Sequence, residues 1–464
     1  MFLRILTASL LCALLAAGIW WLEQPSSPEA RLARSLLGEH WYSLSLDGRH
    51  LGYWHTHNHR DGSGNWVFES EQRFAMNGQE PVSTRVRRTF AAAPPHALVA
   101  AEHLETRGGS THGVRIEADG EGYRARRLPD DGAPTWPLSW QYRLADYLEF
   151  ELWLANDHPA AGATRTVETL DFERTELVSR SFDVVASGAP GYVIENAAPH
   201  AATRIELDDR FVPTDMRIAG LFDLHRTTRA DALAPRSTLQ AASYYIPADR
   251  RLPDHTRIAR LVLAIHGNGN PGALFPAARE QAGTWRLVLN GGSASHGPSS
   301  PPDLAETVQI PARHPRIAAL AEVAARNADD PQDVVAALTE FVHGYLRYEP
   351  GAPSRDVLSL LDDPRGDCTE FADLLTTLAR SLGLPARTVF GLAYADGPPP
   401  AFAYHAWNEI HVAGAWMAVD PTWGQLRLDA THIPLPQDET AALTLLTGGA
   451  RLRFEVLDVA YFAD

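Results

Sequence analysis

The 464-residue chain is short of cysteine, holding only Cys12 and Cys368. Two thiols exclude a disulfide framework and a cysteine-built zinc site. Positive charge is in deficit as well: 41 Lys and Arg stand against 57 Asp and Glu, a formal net charge of -16. Such a chain repels phosphate backbones, so nucleic acid is not an expected partner. No Gly-x-Ser-x-Gly occurs, which removes the α/β-hydrolase reading that Ile265 to Gly272 (IHGNGNPG) would otherwise invite. DDPRGD and NADDP lack the alternating oxygen ligands of a calcium loop. No cofactor and no metal is therefore expected, and no repeat of fixed period is visible. Hydrophobic residues are ample at 45%, and at about 150 residues per domain the length allows two or three folded units.

The N-terminus carries an apolar run, Ile5 to Leu22, behind a single positive charge, Arg4. A run of about 18 residues is the short limit for spanning a bilayer. Ala16 and Gly18 make a poor signal-peptidase site, whereas Trp20, Trp21 and Leu22 suit a membrane interface and favour an uncleaved anchor. Residues 1–24 are assigned as signal peptide or membrane anchor. With Arg4 held in the cytoplasm, both readings export the rest of the chain. The expected place is the cell envelope, on the periplasmic or extracytoplasmic side, anchored in the inner membrane; the oligomeric state stays open. Cys12 reads as a passive hydrophobe. Cys368 is then an unpaired thiol in an oxidising compartment, which invites a functional explanation.

Residues 36–289 read as a β-rich region. Short alternating runs such as WYSLSLDGRHLGYWHTHNH, SFDVVAS and TWRLVLNGG, punctuated by Gly, Asp, Asn and Pro, indicate antiparallel sheet. One large sandwich or two smaller sheets would fit. Residues 290–303 (NGGSASHGPSSPPD) read as a linker. From there the period becomes helical, and residues 310–464 form the last unit. Pro315 to Asn327 is one helix candidate. A second begins with Asp330 as N-cap and Pro331 in the first turn, with Val334, Val335, Leu338, Phe341, Val342 and Tyr345 as its apolar stripe. A third begins at Cys368 and stops at Gly383, ahead of Pro385. The strands RTVFGLAY, YHAWNEIHV and AWMAVD follow. Helices and then strands make this unit α+β.

A cysteine of ordinary pKa near 8.5 is only a few per cent thiolate at neutral pH, so a catalytic one needs help. Cys368 sits in the first turn of its helix, where unpaired N–H groups and the macrodipole stabilise an anion. Lowering a thiol pKa by about 2 takes about 2.7 kcal/mol, more than a dipole supplies, so a charged partner is needed. His405 is the candidate. If Ala413 and Gly414 make a two-residue hairpin turn between Val412 and Ala415, His405 faces Thr422 and Asp420 faces Trp407. His405 and Asp420 are then diagonal neighbours on one face, with Cβ atoms within about 8 Å. A slip of one residue would send Asp420 to the other face.

RGDCTEFADLLTTLARSLGLPARTVFG, YHAWNEIHV and WMAVDPTWG, in that order, resemble the core of the transglutaminase-like superfamily, a branch of the papain-like cysteine enzymes. The resemblance spans about Pro331 to Gln425. It implies a papain-like fold, with Cys368 as nucleophile, His405 as general base and acid, and Asp420 orienting His405. DATHIPL, with Asp429, Thr431 and His432, also looks like the bacterial branch; no catalytic role is assigned to it. The implied chemistry is acyl transfer: the sulfur attacks an amide carbonyl, the Cys368 N–H helps hold the oxyanion, and His405 protonates the departing amine. Tyr345 or Tyr348 could add a second oxyanion donor, core packing being the commoner role.

Other signals have plainer readings. Trp407, Trp416 and Trp423 are expected to pack around the site. DGPPPAF, Asp396 to Phe402, is a stiff turn or a rim of the cleft. His55, His57 and His59 alternate on one strand face, but with no carboxylate cluster nearby in sequence the expectation is a solvated face rather than a metal site. The functional reading is an exported thiol-dependent acyl-transfer enzyme, a cysteine acyltransferase or a cysteine peptidase or amidase, acting on peptide, protein or glutamine-type amides. Hydrolysis is favoured over cross-linking because nothing marks a lysine-binding acceptor site. The alternative is a non-catalytic binding or scaffold protein of the cell envelope.

Overall fold

The computed structural model describes residues 27–463 except 47, 76–80, 108, 121, 130–131, 133–134, 189–190, 197–202, 219–221, 236–244, 268–270, 295–298, 301–302, 350–354 and 437–451. The apolar run at residues 5–22 and Cys12 lie outside the described residues. Among the described residues no helix is long and apolar enough to cross a membrane.

The alternating first half does form antiparallel sheet, as one continuous sheet of fourteen strands, in place of the expected sandwich or pair of sheets. It runs from β1 (Gly38–Leu46) through β2 (Arg49–Arg60), β3 (Trp66–Phe74) and β4 (Val82–Phe90) to β14 (Phe222–Thr227). From β1 the chain steps outward strand by strand to the edge at Trp136–Leu138, then starts again at the opposite edge, Thr164–Asp171, and returns strand by strand to β14 beside β1. The sheet curls on itself. Trp136, on the edge strand β8 (Trp136–Leu138), donates through Nε1 to Thr175 Oγ1 at 3.0 Å, just past the opposite edge strand β9 (Thr164–Asp171). A shared core explains the curl: Phe68, Phe90, Val114, Ile116, Tyr123, Leu170 and Phe172 from distant strands bury one another.

The expected boundary at residue 289 does not coincide with a sheet boundary. Residues from β15 (Tyr245–Pro247) onward leave the large sheet. Strands β16 (Ile258–Gly267), β17 (Arg279–Gln281) and β18 (Thr284–Asn290) make a four-stranded sheet with β25 (Leu452–Tyr461), near the C-terminus. The physical reason is a shared apolar face: Leu261, Leu263 and Ile265, two residues apart on β16, with Leu287 and Phe454 opposite them, join Leu392, Tyr394, Phe402 and Ile433 in one core. Likewise the start of the expected linker is paired backbone, Gly291 N donating to Ala259 O at 2.8 Å and Gly292 N to Leu428 O at 2.7 Å.

Segment 305–309 ties the large sheet to the last unit. Arg127, on β7 (Gly122–Leu128), donates to Val308 O, Thr307 O and Glu306 Oε1 at 2.6, 2.9 and 3.1 Å, and Arg380 donates to Ala305 O at 2.7 Å. Beyond it come helices Pro315–Ala324, Pro331–Tyr345 and Cys368–Ser381, packed through Ile317, Val335, Leu338, Val342, Phe371, Leu375 and Leu378. As expected, Asp330 caps the second helix, its side chain accepting from Gln332 N. A third sheet, in the order β15, Ala401–Val412, Ala386–Ala395, Ile433–Pro434, with Ala415–Val419 also paired to Ala401–Val412, lies against these helices. It comprises β21 (Ala386–Ala395), β22 (Ala401–Val412), β23 (Ala415–Val419) and β24 (Ile433–Pro434).

Candidate active site

Asp367 is the N-cap that starts the helix at Cys368. Its carboxylate accepts from Thr369 N at 2.9 Å, while Glu370 Oε2 accepts from Asp367 N at 2.8 Å, a reciprocal capping box. Gly366 leaves room for it, since a Cβ there would stand 2.5 Å from Glu370 Cβ. On the next layer Asn408, fully buried on β22, donates to Ala372 O and Thr376 Oγ1, both at 2.8 Å. These bonds register the helix against β22, and the backbone N–H of Ala406 donates toward the Cys368 sulfur.

The hairpin that carries His405 and Asp420 has the register expected from its turn. Val412 pairs with Ala415 and Asn408 with Val419. Ala413 (φ 50°) and Gly414 (φ 83°) both adopt left-handed backbone, as a type I′ turn requires. His405 Nε2 lies 2.9 Å from Asp420 Oδ2, with the two side chains 7% and 0% exposed. Asp420 Oδ1 accepts from Thr422 N at 2.7 Å and Trp423 N at 3.2 Å. Burial alone would raise the Asp420 pKa, but His405 and then His432 hold it well below the usual carboxylate range. Trp423 stacks on the His405 ring, centroids 4.3 Å apart. Trp416 lies elsewhere: it pairs with His411, near the hairpin turn, and receives the Arg387 guanidinium at 4.0 Å.

The thiol departs from expectation. Cys368 is pushed up to about 12, first by burial and then by the Asp367 charge, with the Ala406 N–H pulling the other way. The expected lowering by the helix terminus is outweighed by burial, and the Asp367 carboxylate that caps that terminus adds to the rise. Of the two tyrosines, Tyr345 stacks on Phe341 at 5.3 Å in the helical layer, whereas Tyr348 stands near the sulfur: burial and then the Cys368 charge raise its pKa. Tyr348 is placed by its parallel pairing with Gly366. The Asp396 turn is tied down instead by Arg251, which donates to Asp396 Oδ1 at 2.6 Å.

Sequence reasoning missed the role of His432. Its Nε2 lies 3.3 Å from Asp420 Oδ2, so one carboxylate oxygen serves two imidazoles, and its Nδ1 lies 3.5 Å from Asp429 Oδ1. Burial would lower its pKa, but Asp420 and Asp429 raise it to about 9, so it is an imidazolium at neutral pH. Gly391 lets it approach. Gly391 pairs with both His405 and Pro434, and a Cβ there would stand 2.3 Å from Ile433 O and 2.4 Å from the Trp407 ring. The sequence signal was Asp-Ala-Thr-His itself, whose Thr431 N and Oγ1 donate to Asp429 at 2.7 and 2.6 Å.

With cysteine, histidine and aspartate set around β22, the family match is decisive: the model of the transglutaminase-like superfamily covers residues 318–421. Residues 318–421 belong to the transglutaminase-like superfamily. This transglutaminase-like segment is similar to a protein-glutamine gamma-glutamyltransferase of Pseudomonas aeruginosa, 32% identical over 130 residues, which are 25% of this chain and 20% of that protein. An uncharacterised protein of Mycobacterium leprae is 32% identical over 114 residues, 23% of this chain and 40% of its own length. The chain thus spans a fifth to two fifths of these relatives. Among solved structures, a TGase aligns at TM-score 0.18 and 22% identity, over 23% of this chain and 30% of that one. A β-barrel-like protein from Brucella abortus aligns at TM-score 0.30 and 10% identity, over 41% of this chain and 95% of that one.

Proposed function

We propose that the chain is a thiol-dependent acyl-transfer enzyme in which Cys368 is the nucleophile, His405 the general base and acid, and Asp420 the residue that orients His405. The observation that carries this reading is the buried 2.9 Å contact between His405 and Asp420, one residue from the amide that meets the sulfur. Asp420 accepts from His405 Nε2–H, which makes Nδ1 the basic nitrogen. The resting thiol keeps its proton until His405 Nδ1 takes it. The sulfur then bonds to the amide carbon, and the oxyanion is held by the Cys368 N–H with the Tyr348 hydroxyl as second donor. His405 returns the proton to the amine as the C–N bond breaks, and water resolves the thioester. His432 acts through Asp420 as a positioning residue: its charge fixes the carboxylate that aims His405.

The substrate is a peptide or glutamine-type amide in the cell envelope, hydrolysed in preference to being cross-linked, and the apolar run at residues 5–22 supports export and anchoring. The scaffold reading draws on the thiol raised to about 12. Turnover of a peptide library separates the two. The enzyme releases amine and accumulates a thioester on Cys368, and Cys368→Ser does neither; equal turnover, or none in either protein, favours the scaffold. A thiol-selective alkylating probe should also label the wild type faster than His405→Ala.

A further inference from the structure

The metal-free expectation for His55, His57 and His59 rested on the lack of a nearby carboxylate, and strand pairing supplies one. On β3, Glu69 pairs with His57 and Glu71 with His55; on β1, Glu39 pairs with His57. We infer that His57, His59 and Glu69 form a surface site for a divalent transition-metal ion, Zn2+ in the first instance, on the fourteen-stranded sheet. One ring nitrogen from each histidine and one Glu69 oxygen lie within 4.8 Å of one another, and the two rings stack with centroids 4.4 Å apart. Two imidazoles and a carboxylate are a donor set that zinc accepts, with water completing the tetrahedron.

Three further observations favour the ion. Glu69 divides its oxygens: Oε1 meets Arg87 Nε at 3.2 Å, while Oε2 stands 3.8 Å from His57 Nδ1, too far for a hydrogen bond. Arg87 thereby orients the carboxylate as an outer-shell partner would. His59 Nδ1 is shut off from water and finds no hydrogen-bond partner. The His57 side chain is 45% exposed, which leaves the ion a way in. The other such cluster among the described residues, His405, Asp420 and His432, is different: it is buried, and both Nε2 atoms already meet Asp420 Oδ2, at 2.9 and 3.3 Å.

The test is calorimetric titration of the untagged full chain with Zn2+. One ion should bind the wild type, and His57→Ala or His59→Ala should each weaken it by at least about tenfold, since losing even an outer-shell partner costs roughly that. Glu69→Gln should weaken it too, while His432→Gln leaves it unchanged. Zn2+ should raise the melting temperature of the wild type more than that of His59→Ala, measured against each metal-free protein, so a folding defect shows separately. Failure to bind Zn2+, or equal affinity in the wild type and both histidine variants, overturns the inference.

Discussion

The two halves of the molecule use charge in opposite ways. In the fourteen-stranded sheet, opposite charges meet across strands in water: Arg85 with Glu71, Arg87 with Glu69, and Arg217 with Asp223, the arginines 60%, 47% and 59% exposed. Such pairs are screened and contribute at most about 1 kcal/mol each, although they help to hold register. In the transglutaminase-like unit the pairs His405–Asp420, His432–Asp420 and His432–Asp429 are closed off from solvent. Removing one partner there strands the other as an uncompensated buried charge, which costs roughly 3–5 kcal/mol. A protein shuts charge away at such expense where the charge has a task.

The sharpest break of that contrast is Asp420→Asn. It should lower kcat/KM by on the order of 100-fold to 10,000-fold, measured on a peptide the wild type cleaves, and destabilise the fold by roughly 3 kcal/mol in urea. Gly391→Ala tests the same site by crowding, because its Cβ would meet the Ile433 backbone and displace His432. Activity should fall with a melting-temperature drop of several degrees, while a variant as active as wild type would show that the approach of His432 is dispensable.

His432→Gln sharpens the comparison through pH. The folded pKa is raised from 6.5 to about 9, so the imidazolium stabilises fully below 6.5 and that contribution is lost as pH rises through about 9. The melting-temperature deficit of the variant should be largest below pH 6.5 and should shrink above pH 9. A deficit that ignores pH would leave His432 as mere packing. Trp423→Ala, which uncovers one face of His405, should cost about 1 kcal/mol and lower kcat more than it raises KM. The smallest effect belongs to the sheet: Arg217→Ala should change stability by less than about 1 kcal/mol and leave turnover untouched.

Local physics was legible in the chain from the start. Capping by Asp330, the apolar stripe from Val334 to Tyr345 and the Ala413–Gly414 turn each depend on residues a few positions apart. The same turn, by setting register, announced that His405 and Asp420 share a face. Long-range pairing was another matter. That fourteen strands make one sheet, that Leu452–Tyr461 returns to pair with Ile258–Gly267, and that Glu69 stands beside His57 follow from contacts between distant segments, for which an alternating pattern names no partner. The electrostatics were decided the same way. Burial, which periodicity does not measure, turned the thiol upward, and the Asp420 and Asp429 carboxylates, set against His432 despite its burial, made it a cation, because a charge in the interior answers to every group that tertiary packing brings within a few ångströms.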